Sequence, residues 1–483
     1  MSHLCFHKTL RSFPSGSIPE VIIDSHPEFA ELYRIAWSLA WDHVNETDVL
    51  PYSPYLSEGC NVNRVWIWDS CLMGMFCRYA LDVFPGRETL DNLYALLQNK
   101  QEMPIQIHHW DNPPLFAWTE WQYYQISADK KRLTKVLPHI IRHYDFLENV
   151  EPAEHRNMSP CITWHREKEG YRWSGCPSGM DNTPRGRGDY ASIYWVDALA
   201  QQALSAYWLI NISRELGETE VQQHFESEYL EKKELLVSYW DEESGAFIDR
   251  YRDGSGFCRV LTPASFWPLL AKCATKEQAI CQIKLLRDPY KLGGEIPFPS
   301  VSRDDPDFNS YGLYWRGGVW LPMAYMSIKS LEKYKEFEFA SKLSINLLEK
   351  MVKCYKEYSP HTIWECYSPT ESKPASSSRK PICRADFCGW SALGPISLLV
   401  ENIIGIHTIS AKNQFIEWIP GTTGRIGIRN LRLGNNRINL IAEDDIIEIN
   451  CNKPVKIRFK DMEFACPSGR SIINHKQKRK ATY

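Results

Sequence analysis

Ser178-Gly179-Met180-Asp181-Asn182-Thr183-Pro184-Arg185-Gly186 sets one carboxyl group in a segment suited to close approach. Glycine tolerates backbone angles that other residues avoid, so Gly179 leaves room for a ligand beside Asp181. Pro184 turns Thr183 away from helical geometry, which makes the segment a loop. Trp173 stands before it, and Tyr190, Tyr194 and Trp195 follow. A second carboxyl group has a comparable setting in His361-Thr362-Ile363-Trp364-Glu365-Cys366-Tyr367-Ser368-Pro369, between aromatics and ahead of a helical stretch. Two acids in aromatic loops suit glycoside hydrolysis. One carboxyl, its pKa raised, protonates the leaving oxygen; the other activates water or attacks the sugar carbon. Each residue also has a plain alternative, since Asp is common in turns and loop Glu is mostly solvated.

Other chemistry is poorly supported. His108-His109 with Asp111 lacks a third ligand at a recognised spacing, so no metal is expected. H-E-x-x-H, G-x-S-x-G and G-x-x-x-x-G-K-[ST] are absent from the sequence. Gly312 and Gly317-Gly318 do not follow a strand, which removes a dinucleotide fingerprint and leaves no cofactor expected.

The elements that must position the two acids read as helices. Pro27 to Val44 carries Phe29, Leu32, Ile35, Ala36 and Leu39 on one face. Further helices are predicted from Arg64–Asp69 to Phe84, where Pro85-Gly86 stops the chain, and from Glu88 to Asn99. Others follow near 115–126, 129–149, 190–215, 218–240, 262–272, 276–286, 315–331, 334–356 and 387–404. Short polar turns alternate with long loops at 45–65, 100–114, 150–189, 289–313 and 357–386, and long loops in compact domains are usually functional. About twelve helices with this alternation make an all-α fold, six hairpins closed into an (α/α)6 barrel with the long loops at one end. Beyond Ile409, short strands separated by Gly, Asn and Asp form a small β appendage. The expected division is a lead-in over 1–25, the catalytic barrel over 26–409, the appendage over 410–466 and an unstructured basic tail over 467–483.

The 483 residues carry a net charge of -3, which gives no argument for nucleic acid or an anionic membrane as partner. The 18 tryptophans suit both a core and a pocket that stacks on sugar faces. The 15 cysteines are scattered without C-x-x-C pairs, and Met1 to Phe13 lacks the apolar run of a signal peptide. A cytoplasmic protein without a membrane span is expected.

Six segments in order then resemble glycoside hydrolase family 63, close to the trehalases. They are Trp66-Ile67-Trp68-Asp69, Asp111-Asn112-Pro113-Pro114, Ser178 to Arg185, Pro299-Ser300-Val301-Ser302, Tyr314-Trp315-Arg316-Gly317 and Trp364-Glu365-Cys366-Tyr367. The resemblance implies an (α/α)6 barrel and an inverting mechanism, with Asp181 as general acid and Glu365 as general base. It implies sugar contacts from Trp66 and Asp69 and pocket positions for Asn112, Arg185, Trp315 and Arg316. Trp173 and Gly179 complete the expected substrate-binding set. Gly317-Gly318 stands where many members have Gly-Pro, and Cys366 where a small or aromatic residue is usual. The expected function is hydrolysis of small α-linked glucosides or mannosides, including glycosides of a small acid. The alternatives are a non-catalytic sugar-binding protein, or a phosphorylase or isomerase on the same barrel. The presence of both carboxyl groups argues against each.

Overall fold

The computed structural model describes residues 6–59, 65–99, 115–149, 162–175, 179–377 and 380–476, with backbone alone for 97–99, 162–164 and 173–175. Twelve helices of the described residues follow in chain order. They are α1 (Pro27–Trp41), α2 (Ile67–Cys77), α3 (Gly86–Asn99), α4 (Phe116–Ser127), α5 (Lys130–Asn149), α6 (Val196–Leu216), α7 (Thr219–Val237), α8 (Trp267–Leu270), α9 (Lys276–Arg287), α10 (Leu321–Lys333), α11 (Phe337–Glu357) and α12 (Gly394–Ile403). α12 is wound as a π-helix, and a 3-10 turn over Trp390–Leu393 leads into it. Sequence chemistry sets many of the ends. Pro27 opens α1, a Thr275–Gln278 capping box opens α9, and Gly217 at φ 84° closes α6.

Burial separates two kinds of helix. α2, α8 and α12 are buried along their whole length, and α4, α6 and α10 along most of it. α1, α5, α7, α9 and α11 bury one stripe at helical spacing, such as Leu133, Val136, Ile140, Tyr144 and Leu147 of α5. The buried helices pack in chain order, α2 on α4, α4 on α6, α6 on α8 and α8 on α10. α10 then packs on Trp390–Ile403, and that segment packs back on α2. Gly74 lets α2 approach α4, because a Cβ there would lie 2.4 Å from Thr119 Cγ2. Each long loop leads into the N-terminus of one of these helices.

At the opposite ends stand two antiparallel-rich sheets. Five strands run in the order Gly469–Asn474, Ile446–Cys451, Asn436–Glu443, Ile426–Leu433, Glu20–Ile23. Four run in the order Ile406–Ser410, Phe415–Trp418, Val455–Phe459, Met462–Cys466, with the middle two parallel. Ala411 N–H donates to Gln125 O and Gly434 N–H to Ile126 O, tying the sheets to the end of α4. Arg432 and Arg437 hold Asp82 just after α2, and Lys412 holds Glu215 at the end of α6.

Four expectations need correction. The lead-in expected as a separate stretch over 1–25 contributes strands, Phe6–Lys8 and Glu20–Ile23, the latter completing the five-stranded sheet. The tail is ordered through Asn474, where Gly469–Asn474 pairs with Ile446–Cys451 and Arg470 meets Glu448. The helix expected from 315 starts at Leu321, because Leu313 and Tyr314 take left-handed backbone angles and the chain is still turning. The loop expected over 150–189 contains a hairpin, Ile162–Glu167 against Gly170–Gly175.

A buried ionic cluster joins the end of α2 to α10 and α12. Glu401 of α12 accepts from Arg78 (2.7 Å), Tyr79 (3.1 Å), Tyr325 (3.1 Å) and Lys329 (2.8 Å). Burial pushes its carboxyl up, but Lys329 and Arg78 outweigh this and hold it below the ordinary carboxylate value. Glu401→Ala takes the carboxylate from buried Arg78 and leaves Lys329 with Glu332 alone, and breaking a buried pair costs about 3–5 kcal/mol. Urea denaturation should show a loss of that order; a loss under about 1 kcal/mol would mean the cluster is solvated.

Candidate active site

Glu365 stands between two neighbouring segments that fix its backbone. Its N–H donates to Arg384 O at 3.0 Å, and its carbonyl accepts from Trp390 Nε1 (3.4 Å) and Ser391 Oγ (3.2 Å). The carboxyl is 3% exposed and accepts from two sides, from Tyr314 OH at Oε1 (3.1 Å) and from the Arg384 N–H at Oε2 (3.2 Å). Burial raises its pKa above the ordinary 4.5, with Arg384 and the Tyr314 hydroxyl pulling it back and Glu58 adding to the rise.

Asp181 is exposed, unlike Glu365. Its loop is held by its neighbours. Gly179 (φ +76°) lies flat on the Trp68 ring, where a Cβ would fall 2.2 Å from Cζ3. Asn182 donates to Leu313 O (3.0 Å) and accepts from Trp315 N–H (2.8 Å), joining this loop to the turn that carries Tyr314.

Asp69 lies in the first turn of α2, 5% exposed. It does not cap the helix; the N-cap is Trp66, without a side-chain bond. Burial drives its pKa well above the usual range, and the charge and hydrogen bond of Glu58 and the charge of Asp181 drive it further. Glu58 is 6% exposed and accepts from Trp66 Nε1 at 3.1 Å. Burial and the neighbouring Glu58 therefore favour the neutral form of the Asp69 carboxyl. Asp181 acts on both Asp69 and Tyr314, and Glu365 acts on Tyr314. The structure brings Glu58, Asp69, Asp181, Tyr314 and Glu365 into one electrostatic neighbourhood.

Other expected residues lie differently. Arg185 does not face a pocket. It is 1% exposed, with its guanidinium between Asp197 (2.7 and 2.8 Å) and Asp249 (2.7 and 2.7 Å) and over the Trp195 ring. Those carboxylates raise its pKa further and make it a buried anchor of the Asp181 loop. Trp315 is also buried, stacked on Trp320 at 4.0 Å with both rings nearly parallel, so it is a wall behind Tyr314 and not a stacking face for sugar. Arg316 is one-third exposed and paired with Asp307, which also holds Arg187 beside Asp305. Trp66 is half-buried. Asn112 and the Trp173 side chain lie outside the described residues. No group of three or more His, Cys, Asp or Glu among the described residues could hold a metal ion.

Sequence reasoning missed Glu58, Tyr314 and Arg384 as site residues. Tyr314 stood inside a quoted motif, and its place next to Trp315 was the available signal. Glu58 precedes Gly59 in a polar loop, and nothing in the spacing marks Arg384.

The pattern that defines the mannosylglycerate hydrolase MGH1-like glycoside hydrolase domain matches residues 90–381, more than half of the chain. An uncharacterised protein of Borreliella burgdorferi is 25% identical over 409 residues, 80% of this chain and 81% of its own length. A probable mannosyl-oligosaccharide glucosidase of Schizosaccharomyces pombe is 26% identical over 303 residues, 56% of this chain. The match spans only 35% of that yeast protein. Among solved structures, a sialidase superposes with a TM-score of 0.70 at 14% identity, over 95% of this chain and 40% of its own. A GH63 mannosylglycerate hydrolase from Thermus thermophilus, solved with glucose, superposes with a TM-score of 0.56 at 16% identity, over 75% of this chain and 98% of its own.

The close approach at Gly179 is testable against Gly186, which shares its left-handed backbone (φ +71°) but whose added Cβ would find nothing nearer than 3.7 Å. Gly186→Ala should cost about 1–2 kcal/mol from backbone strain alone. Gly179→Ala adds a clash with Trp68, typically a further ~1–3 kcal/mol. Equal losses of stability in chemical denaturation would show that the loop does not rest on Trp68.

Proposed function

The chain belongs to the mannosylglycerate hydrolase MGH1-like glycoside hydrolase family, the family 63 relationship read from its motifs, and on that premise we propose that it is an inverting α-glycosidase of small glucosides or mannosides, with Asp181 as general acid and Glu365 as general base. The observation that carries these roles is the contrast between the two carboxyl groups. Glu365 is buried, which raises its pKa and makes it a stronger proton acceptor, while a hydroxyl and an amide donate to its ionised form. Asp181 is exposed and can regain its proton from solvent after each turnover.

In this reading a water lies between Glu365 and the anomeric carbon. Glu365 takes its proton as the oxygen attacks from one face. Asp181 donates a proton to the departing glycosidic oxygen on the other. One C–O bond forms, one breaks, and the configuration inverts. Asp69, whose carboxyl burial and Glu58 hold toward the neutral form, offers a donor to sugar hydroxyls, and Trp66 Nε1 holds Glu58 beside it. Glucose or mannose as the sugar is supported by the glucosidase and mannosylglycerate hydrolase relatives, and a small acidic aglycone by the latter.

The same reading closes the helices into an (α/α)6 barrel over 26–409. The alternation of buried and one-sided helices and the packing of Trp390–Ile403 back on α2 support it. The strands at 20–23 and 469–474 extend the appendage domain at both chain ends. No helix of the described residues is long and apolar enough to cross a membrane. Buried thiols such as Cys71, Cys77, Cys366 and Cys388 support a cytoplasmic setting.

Reducing-sugar release from a panel of α-linked glucosides, mannosides and their glycerate conjugates tests the activity. On the substrate that panel selects, Asp181→Asn and Glu365→Gln should each lower turnover by about a hundredfold or more. Proton NMR before mutarotation should show the β-sugar first. Near-normal activity in either variant, or initial release of the α-sugar, would contradict the assignment.

A further inference from the structure

Two consecutive non-glycine residues, Leu313 (φ 35°) and Tyr314 (φ 64°), occupy left-handed backbone within a few residues of the site. Such angles persist only where surroundings enforce them. Here every backbone polar group of the two is engaged. Leu313 N–H donates to Ser376 Oγ (2.9 Å) and its carbonyl accepts from Asn182 Nδ2 (3.0 Å). Tyr314 N–H donates to Ser376 O (2.8 Å), and its carbonyl accepts from Gly318 N–H (3.1 Å) and Trp320 Nε1 (3.2 Å). The Asn182 amide also accepts from Trp315 N–H (2.8 Å), so one side chain brackets Tyr314 from both sides. The Tyr314 ring stands edge-on to Trp320 at 4.7 Å, and its hydroxyl reaches Glu365 Oε1 at 3.1 Å.

We propose that Tyr314 is the positioning residue of the base, aiming the Glu365 carboxylate by its hydroxyl, and that Asn182 sets the acid–base separation by clamping the Tyr314 turn to the loop that carries Asp181. The proposal rests on the assignment of Asp181 and Glu365 above. Asn182 follows the acid directly in sequence, so the clamp joins acid to base through one residue, one turn and one hydroxyl.

The consequence is a pH dependence with a definite sign. Glu365 is faced by the Arg384 amide and guanidinium on the adjoining segment, by Tyr314, by Glu58 and by the neighbouring Cys366; Asp69 lies beyond Glu58, and Asp181 beyond Tyr314. The Tyr314 hydroxyl stabilises the carboxylate. Removing it raises the Glu365 pKa, and a base works only when ionised. The acid limb of kcat/KM therefore moves to higher pH.

The probe is α-D-glucosyl fluoride, or the α-D-mannosyl fluoride if the wild type prefers mannosides. Fluoride departs with little protonation, so the acid limb reports the base. Tyr314→Phe should lower kcat about ten- to a hundredfold, the scale of one lost hydrogen bond to a charged group, and shift the acid limb upward. KM should change far less. Asn182→Ala should do the same, while Asn182→Asp, which still accepts from Trp315 N–H but cannot donate to Leu313 O, should fall between. Thermal denaturation checks that each variant is folded, and if Asn182→Ala does not fold, Tyr314→Phe decides. An unmoved acid limb in folded Tyr314→Phe, with Glu365→Gln inactive, would overturn the positioning role. An active Glu365→Gln would overturn the base assignment and the proposal with it.

Discussion

Burying a carboxyl group costs several kcal/mol unless a partner replaces the water it loses, and this chain buries three within reach of one another. Glu58, Asp69 and Glu365 are each less than a tenth exposed. Like charges so close cannot all be ionised in a low-dielectric pocket. The structure resolves the conflict by giving the groups different surroundings. Burial and the neighbouring Glu58 push the Asp69 carboxyl toward its neutral form, and Trp66 Nε1 donates to Glu58. Glu365 has its own donors, Tyr314 and the Arg384 amide, and the charge of Arg384 offsets part of the burial. Asp69 and Glu365 thus stand in different electrostatic settings within one neighbourhood.

The scaffold supports this arrangement by concentrating rigidity behind the site. Trp315, Trp320 and Trp390 form a packed aromatic wall under Tyr314 and Glu365, with Trp68 joining it through Trp390. Arg185, locked between Asp197 and Asp249, anchors the Asp181 loop to the start of α6. The site lies where the inner helices begin, and the sheets and the Glu401 cluster occupy the ends where they finish. The site and the buried ionic cluster are therefore separated along the helices.

Much of this was legible in the sequence, for physical reasons. Helical periodicity located the helices because one-sided burial writes itself as a 3.6-residue stripe, as in α5. Gly179 and Pro184 marked the Asp181 loop because backbone angles restrict residue choice. What stayed hidden depends on the third dimension. Arg185 and Trp315 resembled ligand contacts, but whether an arginine faces substrate or two buried aspartates is decided by residues 12 and 64 positions away. Arg384 reaches Glu365 across 19 residues and Glu58 reaches Trp66 across eight, with no motif linking them. Strands as short as Glu20–Ile23 carry too little pattern, and this one pairs with a segment some four hundred residues on.

The central claim is that Glu365 acts as a base through water on the face opposite the leaving group. Truncating it to alanine and supplying azide with an α-glycosyl fluoride tests this most directly, since the small anion can occupy the space of the lost carboxyl and its water and needs no proton removed. The account predicts that azide restores turnover of Glu365→Ala and that the product is the β-glycosyl azide. Formation of the α-glycosyl azide, or no rescue in a folded Glu365→Ala protein, would contradict it.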